Sequence, residues 1–293
     1  MLPLEAVPNF SEGRDHTTID AIGEALAARA RLLDVHSDAD HNRSVYTLVG
    51  SDEELVAALL SGIACARERI DLRGHEGVHP CIGAADVVPL VPIRDSDAER
   101  ARAAALELAR RVGDELALPV FLYADLAEGR GPAFFRRGGP EELQRRIDAG
   151  DLAPDFGPAQ LDERAGGVLI GSRPPLLAFN VNLASDDLDA AREVARAVRE
   201  RDGGFPGVRA LGLRLPRAGH VQVSLNVEDW HASPLHEVVR AVEREASVRG
   251  LSVTGSELVG LLPAGAVTAA AGSAIALRSL DPSHVLELRL LGE

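Results

Sequence analysis

The chain has 293 residues, 46% of them apolar and 26% charged, with a formal net charge of −14. That balance excludes nucleic acid and anionic membrane surfaces as expected partners, and no run of 18 apolar residues offers a membrane span. All 31 basic residues are Arg, so proton transfer near neutral pH falls to the nine histidines or to shifted carboxylates.

The start, Met1-Leu2-Pro3-Leu4-Glu5, has neither the basic region nor the apolar core of a signal peptide. Two cysteines, Cys65 and Cys81, make no disulfide framework and no zinc cluster. A reducing cytoplasm is the expected setting. The length suits one large domain or two.

Leu4 to Val7 is a predicted short strand. Thr17 to Ala30 is helical, with Ile19, Ile22 and Leu26 on one face. Leu32 to Val35 and Val45 to Val49 are strands separated by a polar turn. Ser51 and Glu54 form a capping box before a long helix carrying Leu55, Leu59, Ile63 and Ile70. Val87 to Ile93 is a strand whose Pro89 and Pro92 suggest a sheet edge or a bulge. Ser96 and Glu99 open a further capped helix to about Leu116, and Val120 to Tyr123 is a strand. Residues 129–167 are rich in Gly, Pro and charge, with one helical pattern near Glu141 to Ile147, and read as the connection between two halves.

The second half repeats the logic. Leu176 to Leu183 is a strand, Asp186 to Arg199 a helix, and Val208 to Leu215 and His220 to Val227 are strands. Ser233 caps and Pro234 starts the next helix, and Leu251 to Thr254 is a final strand. Each half reads as β-α-β-β-α-β, the ferredoxin-like split unit, with helices on mixed sheets. The expected domains are 1–172, with 129–167 as connecting segment, and 173–293.

The stretch His75-Glu76-Gly77-Val78-His79-Pro80-Cys81 through Asp86 puts two imidazoles and two carboxylates in a segment punctuated by Gly and Pro, the composition of a rigid exposed loop. Gly77 permits backbone angles closed to other residues, and Pro80 biases His79 away from helical geometry. Pro8-Asn9-Phe10-Ser11-Glu12-Gly13-Arg14 follows a strand, where ligand loops are common, though it equally suits a helix cap. His36-Ser37-Asp38-Ala39-Asp40-His41-Asn42-Arg43 invites a metal reading, but no zinc-type spacing appears. Cys81 has no helix N-terminus to activate it as a nucleophile.

Alternation in the second half carries a message. Ala178, Asn180 and Asn182 share one face of their strand, and Leu177, Phe179, Val181 and Leu183 the other. His220, Gln222, Ser224 and Asn226 oppose Val221, Val223, Leu225 and Val227. The polar sides offer mixed donors and acceptors that suit a heterocycle, or a solvated sheet face. Arg173 and Arg214 lie beside these faces and can hold carboxylates bidentately.

Together these segments resemble the formiminotransferase domain family. The resemblance runs along nearly the whole chain. It includes Val7 to Gly13, Leu32 to Val35 with Asn42 to Val45, His75 to Pro80, Pro154 to Pro158, Ala178 to Leu183, Gln222 to Asn226 and Gly255 to Gly260. It implies transfer of a formimino group from N-formimino-L-glutamate to N5 of tetrahydrofolate, in histidine breakdown. It further implies two α/β subdomains with a folate groove between them, a homodimer, tetrahydrofolate as co-substrate and no metal. The chain's end at Glu293 carries the expectation that the cyclodeaminase domain fused in some relatives is absent.

The family's catalytic histidine aligns with His79. Its folate-contacting strand aligns with Gly171, Ser172 and Arg173 through Ala178, Phe179, Asn180 and Asn182. Gln222, Ser224 and Asn226 join that surface, and Arg43, Arg173 or Arg214 meet the carboxylates. An acidic site residue of the family aligns with His36, with Asp38 and Asp40 close by. Cys81 stands where Arg is expected, and Pro174 where a basic residue often follows. His36 and Cys81 keep open a folate-independent imidoyl or amidine hydrolase, and a non-catalytic folate-binding relative is the third reading.

Overall fold

The computed structural model describes residues 2–128, 130–277, 280–286 and 288. They fall into two compact units, Met1–Pro174 and Pro175–Glu293. Gly129, at the start of the expected connecting segment, lies outside the described residues.

In the first unit, β1 (Leu4–Ala6) and β2 (Asn9–Phe10) are followed by α1 (His16–Ala27), β3 (Arg31–Asp38), β4 (Arg43–Gly50), α2 (Asp52–Arg69), β5 (Ala85–Val91), α3 (Ala98–Leu116), β6 (Val120–Ala124), α4 (Pro132–Arg136), α5 (Gly139–Asp148) and β7 (Val168–Ser172). The seven strands form one sheet, β1-β4-β2-β5-β7-β6, with β3 paired to β4. Taking β1 and β2 as one interrupted strand, β3, β4, β1/β2 and β5 lie in the split βαββαβ order. Two parallel strands, β7 and β6, extend it.

The core follows from periodicity. Ile22 and Leu26 of α1, Leu55, Leu59 and Ile63 of α2, and Leu108 and Val112 of α3 bury against Leu4, Phe10, Leu48, Val88 and Ile170 of the sheet. The Ser51–Glu54 capping box forms, each side chain bonding the other's backbone N–H. The one expected at Ser96 and Glu99 does not: residues 95–97 make a 3₁₀ turn, and Asp97 precedes α3 without a side-chain cap.

Pro89 does not mark an edge. Strand β5 is interior, between β1/β2 and β7. Val7 N–H donates to the Pro89 carbonyl, so the missing N–H of Pro89 faces the break between β1 and β2. The Asn9 amide donates to the Val7 carbonyl at 2.7 Å, and that acceptor is satisfied without Pro89.

Residues 130–167 pack on the first unit itself. Phe135, Leu143, Ile147 and Leu161 cluster with Ile82, Val87, Phe121, Tyr123 and Leu169 as a second core. Three elements of this unit carry no signal in the sequence, β2, α4 and β7.

The second unit runs β8 (Leu177–Leu183), α6 (Leu188–Val198), β9 (Val208–Leu215), β10 (His220–Val227), α7 (Leu235–Val248), β11 (Val253–Val259) and α8 (Ala264–Ala274). Its sheet order, β11-β8-β10-β9, is the ferredoxin-like one, and every pairing is antiparallel. Leu177, Val181, Val221, Val223 and Leu225 bury against Val194 and Val198 of α6 and Val238 and Val242 of α7. Ser233 does not cap α7; its hydroxyl donates to the Pro206 carbonyl, and the helix begins after Pro234. Helix α8 lacked an amphipathic signal, being a run of Ala and Gly.

Candidate active site

The site in the first unit is built where the loops at Gly13 and at His75 to His79 meet the β3–β4 hairpin tip. Strand β3 reaches Asp38, so His36 and Asp38 are strand residues rather than loop residues. Asp38 is occupied as a turn former: its Oδ1 accepts from the N–H groups of Asp40 at 2.8 Å and His41 at 2.7 Å. Asn42 follows in the left-handed region, φ 49°, which Asn tolerates better than most residues.

From there Asn42 ties the loops together. Its Oδ1 accepts from Gly13 N–H at 3.0 Å, and its Nδ2 donates to the Glu76 carbonyl at 3.1 Å and meets His75 Nδ1 at 3.2 Å. Val78 N–H donates to the Asp40 carbonyl at 3.0 Å. Gly77 is needed for close approach rather than for unusual angles. Its φ is not positive, but a Cβ there would lie 2.4 Å from the His41 carbonyl oxygen.

These contacts place His79 against Arg43, the first residue of β4. Arg43 Nη1 is 2.6 Å from His79 Nε2, and Arg43 Nη2 donates to Asn9 Oδ1. A guanidinium only donates, so Nε2 carries the lone pair. Nδ1 then carries the proton and donates to the Pro80 carbonyl at 3.0 Å. The His41 ring stacks over His79, with centroids 5.9 Å apart. Burial, then Arg43, Arg136 and His41, push the His79 pKa well below the usual imidazole value. The arrangement is that of a neutral base. Burial first, then Arg136, lowers the Arg43 guanidinium to about 10.

A buried ion pair supports the far wall. Arg136 of α4 donates to Asp86 Oδ2, their side chains 12% and 3% exposed, and Asp86 Oδ1 accepts from Ile82 N–H at 2.8 Å. Burial and Asp86 raise the Cys81 thiol above its ordinary value, which opposes a thiolate nucleophile. Ser11, Asn42, Arg43, His75, His79 and Cys81 wall a cavity of about 10 Å³, room for little beyond one water. Among the described residues no three His, Cys, Asp or Glu are placed to hold a metal ion, and no helix is long and apolar enough to cross a membrane.

Gly171, Ser172 and Arg173 do not line the cavity beside His79. Gly171 and Ser172 belong to β7 and Ala178 to Asn182 to β8, strands of different sheets, so they are not one strand. Ser172 pairs with Leu90, four residues along β5 from Asp86, or about 13 Å. Arg173 N–H donates to the Leu90 carbonyl, and its guanidinium to the Pro174 carbonyl at 3.0 Å.

In the second unit the pairing aligns Gln222 with Asn182, Ser224 with Asn180 and Asn226 with Ala178 on one face. Gln222 Nε2 donates to Asn182 Oδ1 at 2.9 Å, and Asn182 Nδ2 donates to Glu257 Oε1 at 2.8 Å. Phe179 and Arg214 do not join that face. Phe179 packs with the helix-covered core, and Arg214 aligns with buried Val221 and donates to the Asp186 carbonyl at 2.6 Å.

Residues 3–173 match the model of the formiminotransferase domain, N-terminal subdomain, and residues 178–280 that of the formiminotransferase domain. The chain belongs to the formiminotransferase family. Its relatives include a glutamate formimidoyltransferase of Thermoplasma acidophilum, 38% identical over 98% of this chain and 97% of that protein. Another, from Streptococcus pyogenes serotype M1, is 38% identical over 99% of each chain. A formimidoyltransferase-cyclodeaminase of Sus scrofa is 39% identical over 92% of this chain and 51% of that protein.

The formiminotransferase geometry adds residues that the sequence motifs did not single out. Asn9 and Asn42 lie inside the segments Pro8 to Arg14 and His36 to Arg43, and Glu257 inside Gly255 to Gly260, where spacing gives them no role. Arg136, in a Gly- and Arg-rich stretch, carried no signal, because its partner Asp86 is 50 residues away.

Proposed function

We propose that the chain transfers the formimino group of N-formimino-L-glutamate to N5 of tetrahydrofolate, releasing L-glutamate and 5-formiminotetrahydrofolate, as a step of histidine degradation. The full-length likeness to glutamate formimidoyltransferases supports the reaction. The observation that carries the chemistry is His79, neutral, with its lone pair on Nε2.

N5 of the folate attacks the formimino carbon. His79 takes the N5 proton in the tetrahedral intermediate and returns it to the departing glutamate nitrogen, so the intermediate collapses with no net proton change. Such base-then-acid work contributes about 10² to 10⁴-fold in rate, and holding both substrates together contributes more. Ala178, Asn180, Asn182, Gln222, Ser224 and Asn226 offer amides, a hydroxyl and backbone room to the pterin, with Glu257 as an added acceptor. Arg43 meets a donor carboxylate. Two free thiols suit a cytoplasmic enzyme, and a homodimer is the assembly the family resemblance implies.

The test is a coupled assay with formiminoglutamate, with and without tetrahydrofolate, following 5-formiminotetrahydrofolate. Product that requires both substrates supports the transfer. Formamide or ammonia released without folate identifies a hydrolase instead.

A further inference from the structure

Arg43 is a desolvated cation whose two hydrogen-bond acceptors are an amide oxygen and an imidazole nitrogen, not a carboxylate. Its Nε is buried with no partner. A guanidinium in that state is costly to keep until an anion reaches it. Its Nη1 also sits on the atom of His79 that must accept a proton. The cavity beside them, about 10 Å³, has room for about one water.

We propose that Arg43 masks the Nε2 lone pair of His79 in the free enzyme, and that a carboxylate of the glutamyl donor draws the guanidinium away and unmasks the base. The base then becomes available only with donor bound, which protects the site from idle protonation. Arg43 is thus a positioning residue as well as a carboxylate receiver. The inference rests on the transfer reading above.

The other groups around His79 do not serve this purpose. His41, from the hairpin tip, stacks on the ring face. Arg136, from α4, is held by Asp86. The Pro80 carbonyl holds Nδ1. His75, Cys81 and Asp86 line the same cavity, and His75 is engaged by Asn42.

The experiment is an NMR titration of His79 in the full chain, assigned by loss of its signals in His79→Ala, with and without glutarate as the dicarboxylate probe. Glutarate is expected to raise the His79 pKa by about one unit or more, as a nearby positive charge is paired off and moved, and to shift the Nε2 resonance as its donor leaves. In Arg43→Gln the His79 pKa is expected to be already raised and indifferent to glutarate. A native His79 titration that glutarate does not move, at any concentration, overturns the proposal and needs no variant to fold. Native protein that makes product yet shows an unmoved titration sinks this inference alone. A glutarate-shifted titration without turnover sinks the transfer reading and leaves the unmasking.

Discussion

The side-chain oxygen of Asn9 accepts a hydrogen bond from Arg43, 34 residues further along the chain, while the same guanidinium holds Nε2 of His79. Asn9 also closes the sheet at the Val7 carbonyl. One amide therefore serves both the strand break and the orientation of the cation beside the base. Asn9→Ala is expected to cost about 1 to 3 kcal/mol, because it orphans a buried carbonyl and a buried donor; urea unfolding reads it. Asn9→Asp puts a carboxylate on Arg43, and the acid limb of kcat/KM should move to higher pH. A folded Asp variant with an unmoved limb argues against control of His79 through Arg43.

His79→Ala should lower kcat by about 10² to 10⁴-fold while tetrahydrofolate affinity, read by fluorescence titration, stays close to native. A variant with native turnover removes His79 from the mechanism.

The pH dependence has a definite sign. The base acts when neutral, and burial with Arg43 and Arg136 holds its pKa below the usual value. In kcat/KM, which reports the free enzyme, activity should therefore persist through pH 6.5 and fall only at lower pH; a kcat/KM limb centred at or above 6.5 contradicts the site geometry. The same shift acts on stability. The unfolded chain takes up this proton near 6.5 and the folded chain resists it. The contribution is complete above 6.5 and is lost as pH drops from there toward the folded value, visible as a falling urea midpoint.

Asp86→Ala leaves Arg136 charged and unpaired in a buried setting and takes the acceptor from Ile82 N–H. A loss of about 3 to 5 kcal/mol is expected. The double substitution Asp86→Leu with Arg136→Met should recover part of it in denaturant unfolding, since neither charge then remains. Equal instability of the single and double variants would mean that the pair's hydrogen bonds matter more than its charge balance.

Asn182→Ala removes the bonds that Asn182 makes to Gln222 and Glu257 on the polar sheet face and leaves the direct Gln222–Glu257 contact at 3.4 Å. Tetrahydrofolate should bind about ten-fold more weakly, with the melting temperature little changed. Native affinity would move the folate site off this face.

What could be read directly was local. The Ser51–Glu54 cap, the helical stripes of α1 and α2, and the alternation of β8 and β10 each follow from contacts within a few residues, and the structure shows them where the pattern puts them. The unit topology was legible because strand and helix order constrain it. Arg214 shows the limit of proximity in sequence, and Phe179, which alternation already puts on the apolar face, entered the site only through the resemblance. A strand alternates faces with each residue, so neighbours of a polar position point away from it.

The sequence alone determined that His79 sits in a stiff Gly- and Pro-bounded loop and that two split βαββαβ units carry the chain. Only the tertiary structure decided which charges surround that imidazole. Arg43, Asn9, Asp86 and Arg136 meet through pairings that span from 34 to 50 residues. Their effect on His79 comes from loss of water around all of them together, a property of the packed state that no spacing along the chain encodes.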